Sequence, residues 1–170
     1  VDESVRRIRS IALVHETLSL TIGDDVPFIE IVRPLVRMVE EGLISPERPI
    51  QFSVVGDGGI LPADVATPLA VVLTELLQNV VDHAFPSGPT DDATVFVELE
   101  NTGTRLRVTV TDNGVGTSSG FTIDDSTGLG LSIVRTLVTT ELGGTIGFSA
   151  GEGTPGLPGT VVRISVPVRR

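Results

Sequence analysis

Two glycine-punctuated stretches carry the clearest chemistry in this sequence: Asp112-Asn113-Gly114-Val115-Gly116 and Thr127-Gly128-Leu129-Gly130-Leu131. An ionised carboxylate such as Asp112 only accepts hydrogen bonds. It suits the exocyclic amino group of adenine and mismatches the carbonyl that guanine carries at the same place. Gly114 and Gly116 remove the side chains that would hold a base away. Ser126 and Thr127 precede Gly128-Leu129-Gly130 in the manner of a capped helix start. Free amides at the positive end of a helix attract phosphate. Upstream, Glu75 and Asn79 stand four residues apart and so share one helix face, with Asp82 and His83 a turn further on near the same face. A carboxamide oxygen suits Mg2+, a hard cation that keeps most of its waters and takes phosphate oxygens as partners. A carboxylate one turn away can accept a proton or orient a water. In a chain of net charge −10, a bound metal also makes a triphosphate tolerable. Each part has a plainer reading: Asp-Asn-Gly is an ordinary tight turn, and a glycine pair permits close packing. Together they read as a nucleotide site.

The elements that must position these residues follow from hydrophobic period and breakers. Ser4 to Leu20 reads as a helix with Val5, Ile8, Ala12, His15 and Leu18 on one apolar stripe. Pro27 to Glu41 reads as a second helix, kinked or restarted at Pro34, and Asp64 to Ala84 as the central helix bearing Glu75 and Asn79. Ile50 to Val55 reads as a strand, and Thr94 to Glu100 with Thr104 to Thr111 as a hairpin around Asn101-Thr102-Gly103. Within it Leu106, Val108 and Val110 face one side and Arg105, Arg107 and Thr109 the other, with Glu98 and Glu100 placed to pair with those Arg. The alternation carries Asp112 towards a cleft. The polar stretch Thr117 to Ser126, around Phe121, Asp124 and Asp125, is a candidate lid. A helix from Gly130 to Leu142 ends at Gly143-Gly144, and Thr145 to Ala150 and Thr160 to Val168 are the last strands. Hairpin-joined strands with helices gathered on one face make an α+β sandwich.

Composition narrows the classes. The 170 residues can bury a real core, and 40% hydrophobic with 20% charged content is globular. Cysteine is absent, which removes disulfides, thiol nucleophiles and cysteine metal sites and fits a reducing cytoplasm. The net charge argues against a nucleic-acid surface. All 12 basic residues are Arg, so no P-loop or Schiff-base lysine exists and any nucleotide is held by backbone amides, a metal and Arg. No uncharged apolar run reaches the roughly 18 residues of a membrane span. Val1 in place of an initiator Met reads as the start of a fragment of a longer protein.

With Glu75/Asn79, Asp112 to Gly116, Gly128 to Leu131 and Gly159-Thr160 in this order, the chain resembles the catalytic ATP-binding domain of sensor histidine kinases over roughly residues 27–168. These stretches match that family's N, G1, G2 and last glycine-threonine motifs. The resemblance implies the Bergerat fold shared with Hsp90, type II topoisomerases, MutL and anti-sigma-factor kinases, here a two-layer sandwich of a mixed sheet with helices on one face. It implies ATP and Mg2+ as cofactors, Asn79 as metal ligand, Glu75 as a polar or basic catalytic helper and Asp112 as adenine anchor. Gly114, Gly116, Gly128, Leu129, Gly130, Leu131 and Thr160 are then nucleotide contacts. Two departures stand out: Asp82 replaces the Lys often found three residues after the Asn, leaving His83 to contribute instead, and the lid is short, with Phe121 its only aromatic.

His15-Glu16 invites assignment as a phosphoacceptor, but the Arg and Pro that normally follow are replaced by Thr17, Leu18, Ser19 and Leu20. The segment looks more like the second dimerisation helix of the subclass related to HWE kinases, which divides the chain into a helix at 1–22 and the ATP-binding domain at 23–170. The phosphoacceptor is then expected upstream of Val1, and His15 is a candidate that its apolar stripe disfavours. The implied reaction moves the γ-phosphoryl of Mg-ATP to a histidine for relay to a response-regulator receiver domain. The expected setting is a full-length cytoplasmic homodimer, with no nucleic-acid partner and no membrane contact by this fragment, which is not expected to phosphorylate itself. Two alternatives stay open: an anti-sigma-factor-type serine kinase, and a non-catalytic ATP-sensing interaction module.

Overall fold

The computed structural model describes residues 25–42, 50–83, 93–114, 129–151 and 159–168. The expected helix at Ser4 to Leu20 with His15, and the lid with Phe121, lie outside them. Phe28 opens the first helix, α1 (Ile29–Gly42): its carbonyl accepts the amides of Ile31 at 2.9 Å and Val32 at 3.0 Å. Ile31, Val32, Leu35, Val36 and Val39 recur at three- and four-residue steps and are buried, while Arg33, Arg37 and Glu40 point outward. The helix runs through Pro34 without the restart expected there. Packing of the apolar stripe outweighs the one backbone bond that a proline nitrogen cannot donate.

A feature the sequence reading lacks precedes each of the first two helices. Strand β1 (Asp25–Pro27) pairs antiparallel with β3 (Ile60–Pro62), and Val26 and Leu61 face each other, both buried. Three residues are too few for a period to show, and by its spacing Pro27 reads as a helix start. Helix α2 (Ala63–His83) then follows directly from β3. It is long and apolar enough to cross a membrane by length and composition alone, but most of it is buried, as a central core helix should be.

The main sheet has five strands in the order β2-β4-β5-β7-β6: β2 (Gln51–Val55), β4 (Thr94–Asn101), β5 (Arg105–Asp112), β6 (Thr145–Ala150) and β7 (Thr160–Pro167). Strand β2 is parallel to β4 and every other pair is antiparallel, so the sheet is mixed. Its core-facing rows are Val95, Val97 and Leu99 on β4, Leu106, Val108 and Val110 on β5, and Val162, Ile164 and Val166 on β7. They join one hydrophobic core with the apolar sides of α1, α2 and α3 (Leu129–Thr136). At about 25 cal/mol per Å2 of apolar surface removed from water, this alternation is what commits the strands to one register.

On the outer face, register decides the ion pairs. Glu100 stands opposite Arg107, whose Nη1 donates to Oε1 at 3.1 Å. Glu98 stands opposite Thr109, so the pairing expected for it does not form. Arg105 turns instead to β7, donating to Ser165 Oγ at 2.8 Å and to the Ser165 carbonyl at 3.2 Å.

The helix expected over Gly130 to Leu142 is not uniform. After Thr136 the coil widens into a π-helical turn, Leu137–Glu141, closed by the Leu142 amide donating to the Leu137 carbonyl at 2.9 Å. Thr139 Oγ1 donates to the Arg135 carbonyl at 2.7 Å, engaging the acceptor of the regular backbone bond. The Gly144 amide reaches back to the Val138 carbonyl at 2.8 Å, and Gly143 takes φ +62°, so the glycine stop read from sequence holds.

Candidate nucleotide site

The site begins where the core row of β5 stops being apolar. Asp112 follows Leu106, Val108 and Val110 on the same face and is 7% exposed. Thr160 ends the facing row of β7 in the same way, directly opposite Asp112 and also buried. The Gly114 amide donates to Asp112 Oδ1 at 2.8 Å, and the Thr160 amide donates to the same carboxylate. Burial nevertheless pushes the Asp112 carboxyl above its ordinary value, the two amides only partly offsetting the lost solvation. A buried acceptor in that state favours a ligand that brings a donor.

The turn beside it is clasped from two sides. Asn113 Oδ1 accepts the Thr94 amide at 2.9 Å, tying the end of β5 to the start of β4. The Gly114 carbonyl accepts the Gly159 amide at 2.9 Å, and the Gly159 carbonyl accepts the Gly151 amide at 3.1 Å. Gly159 sits at φ +77°, and a Cβ there would overlap the Asp112 carbonyl oxygen. The sequence reading assigned no role to Asn113. An Asx side chain bonding to a distant strand leaves no local signal, although Asp-Asn-Gly did mark a turn.

Helix α2 packs against the core side of the same sheet and touches β5. Leu73, Leu76, Leu77 and Val80 are buried in the core. Glu75, 4% exposed, and the partly buried Asn79 fall at i and i+4 on one face. Asp82 and His83 form the last residues of α2, with side chains outside the described set. Leu129 and Gly130 open α3, and Leu131 packs against the core. Gly116, Gly128 and the Ser126-Thr127 cap lie outside the described residues.

These observations fit an adenine nucleotide. Asp112 is a buried acceptor in a socket whose glycine at 159 admits no side chain. Among the described residues no group of three His, Cys, Asp or Glu side chains is placed to hold a cation.

Comparison with known proteins gives the same reading. Residues 64–170 match the family of histidine kinase-, DNA gyrase B- and HSP90-like ATPases, and the chain belongs to that family, whose domain binds ATP. It is 40% identical over 168 residues to the sensor histidine kinase PdtaS of Mycobacterium tuberculosis, covering 99% of this chain and 32% of PdtaS. The chain thus spans about a third of the length of that curated relative. Among solved structures, the histidine kinase domain of the blue-light-activated kinase EL346 from Erythrobacter litoralis superposes with TM-score 0.74 at 25% identity, covering 96% of this chain and 74% of that one. The histidine kinase ThkA, solved in complex with the response regulator TrrA, superposes with TM-score 0.68 at 22% identity over 99% of this chain and 49% of that one, a likeness of fold. The two-layer α+β arrangement expected from the sequence is the one these kinase domains share.

Proposed function

We propose that this chain is the catalytic ATP-binding part of a sensor histidine kinase, acting on the γ-phosphoryl of Mg-ATP and passing it to a histidine upstream of Val1. The observation that carries the reading is Asp112: a carboxylate buried at the end of an apolar row, held by two amides and facing the α2 side of the sheet. It supports selection of adenine through the exocyclic amine. Asn79 would hold the metal, whose chemistry when bound is to neutralise charge on the phosphates. Glu75 would orient or deprotonate the acceptor. Catalysis of this kind rests on positioning and charge, which suits a site with no lysine.

The remaining parts of the reading concern the whole protein. Residues 1–22 would be the second helix of a dimerisation domain and 23–170 the ATP-binding domain. The natural setting would be a cytoplasmic homodimer that hands its phosphoryl group to a response-regulator receiver domain. The identity to PdtaS and the ThkA–TrrA complex support this partner class.

The test has two stages. The 170-residue chain should bind ATP and ADP in preference to GTP by calorimetry. Extended by its natural upstream segment, it should label from γ-phosphate-labelled ATP to give an acid-labile, base-stable phosphoprotein. An acid-stable product would point to a serine kinase, and nucleotide binding without any labelling to a sensing module.

A further inference from the structure

A cleft of about 500 Å3 opens beside β6, between Arg135, Thr136, Thr139 and Thr140 at the end of α3 and its π-helical turn and Gly144 to Ile146 at the start of the strand. Thr145 stands opposite Ser165 on β7, whereas Asp112 stands opposite Thr160 on the same strand. The two places are roughly 17 Å apart at a strand's rise per residue, so the cleft is separate from the nucleotide site. Its charge is one-sided. The chain has 22 acidic residues and a net charge of −10, yet the lining holds no carboxylate and one guanidinium. Arg135 is exposed and already makes an interaction within the chain, but its five donors leave several for a ligand. Thr136, Thr140 and Thr145 are exposed and add hydroxyls that donate or accept. Thr139 has given its hydrogen to the Arg135 carbonyl and can only accept.

The second observation is the sheet edge that borders the cleft. Strand β6 is last in the sheet and, among the described residues, pairs only with β7. Its six residues include no charge and no proline, the usual means by which an open edge is kept from pairing. A strand added there would put alternate side chains on the α3 side of the sheet, the side on which Ile146 and Phe148 pack. We propose that β6 and this cleft dock an extended acidic peptide segment of a partner protein. Its backbone would add a strand at the β6 edge, and one carboxylate side chain would enter the cleft to meet Arg135 and the threonine hydroxyls. A free small anion fits less well. The carboxyl end of a helix is its negative end, and an anion leaves the strand's backbone groups unused. A peptide brings N–H donors together with the carboxylate and answers both. The inference stands apart from the ATP reading, since none of its residues belongs to the nucleotide site.

The experiment titrates the isotopically labelled 170-residue chain, without nucleotide, with the end-blocked peptide Thr-Val-Glu-Val-Thr and follows the backbone amide signals by NMR. The amides of Thr145–Ala150 should shift, and replacing the peptide's Glu with Gln should weaken binding about threefold. The peptide with every backbone amide N-methylated should not bind. These comparisons use the unaltered chain and so do not depend on a variant that folds. Arg135→Gln, a change at an exposed side chain, should leave the melting temperature unchanged and abolish the preference for Glu over Gln. No shift in β6 at millimolar peptide would overturn the proposal. So would equal affinity for the Glu and Gln peptides, or a preference that survives Arg135→Gln. Binding of the N-methylated peptide, or of acetate alone, as tightly as the parent peptide would also overturn it, leaving a pocket for small anions only.

Discussion

Asp112 and Thr160 stand directly opposite each other across β5 and β7, and each is the first polar residue to interrupt its strand's core-facing row. The Thr160 amide donates to the Asp112 carboxylate, so one strand's backbone holds the other strand's side chain in place. The proposed adenine anchor is thus built into the sheet and not hung from a loop, which favours precision over adaptability.

Replacing Asp112 with Asn should separate binding from stability. Loss of a charged acceptor should weaken ATP binding roughly 10- to 100-fold. The folded-state carboxyl lies above its ordinary value of 3.8, so this group's contribution to stability is fully present below that value and is lost as pH rises through the raised one. Urea denaturation across pH should show this decline in the wild type and not in Asp112→Asn, which should be at least as stable at neutral pH.

Gly159→Ala should damage both properties. Alanine at φ +77° is strained, and its Cβ would overlap the Asp112 carbonyl oxygen. The strain alone costs about 1–3 kcal/mol. Urea denaturation should report at least that loss, and ATP binding should fall with it because the socket must open to relieve the overlap.

Asn113→Ala tests the clasp. Removing Oδ1 leaves the Thr94 amide without this acceptor, a cost of about 1–3 kcal/mol if no water replaces it. Nucleotide affinity should drop less than in Asp112→Asn, since Asn113 acts on the turn and not on the base. Equal losses in the two variants would mean that Asn113 itself contacts the ligand.

Glu100→Gln on the outer face is the contrasting control. The Glu100–Arg107 pair is open to solvent, with side chains 65% and 58% exposed. Its loss should cost no more than about 0.5 kcal/mol, should shrink further in high salt, and should leave ATP binding unchanged.

Much of this was readable from residue types. The alternation of Leu106, Val108 and Val110 carried Asp112 to the core side of β5, and the apolar period of α2 put Glu75 and Asn79 on one face. What was not readable depends on partners distant in sequence or on geometry without a period. Strands β1 and β3 are three residues each, below the length at which alternation means anything. Glu98 looked as eligible as Glu100 until the register put Thr109 opposite it. Nothing in the letters around Asn113 distinguishes a clasp to Thr94 from a solvated turn.

The π-helical turn after α3 works as a phase correction. Val134, Val138 and Leu142 are all buried although they are spaced by four each time, and in a regular α-helix that spacing drifts steadily round the axis. A wider turn advances each residue by a smaller angle, so Leu142 is brought back into line with Val134. The segment therefore holds one residue more than a regular helix needs to join the same two buried positions. Conservative changes at Thr139 or Thr140 should be absorbed, and removing one residue between Leu137 and Glu141 should restore ordinary pitch while leaving Leu142 on the buried face.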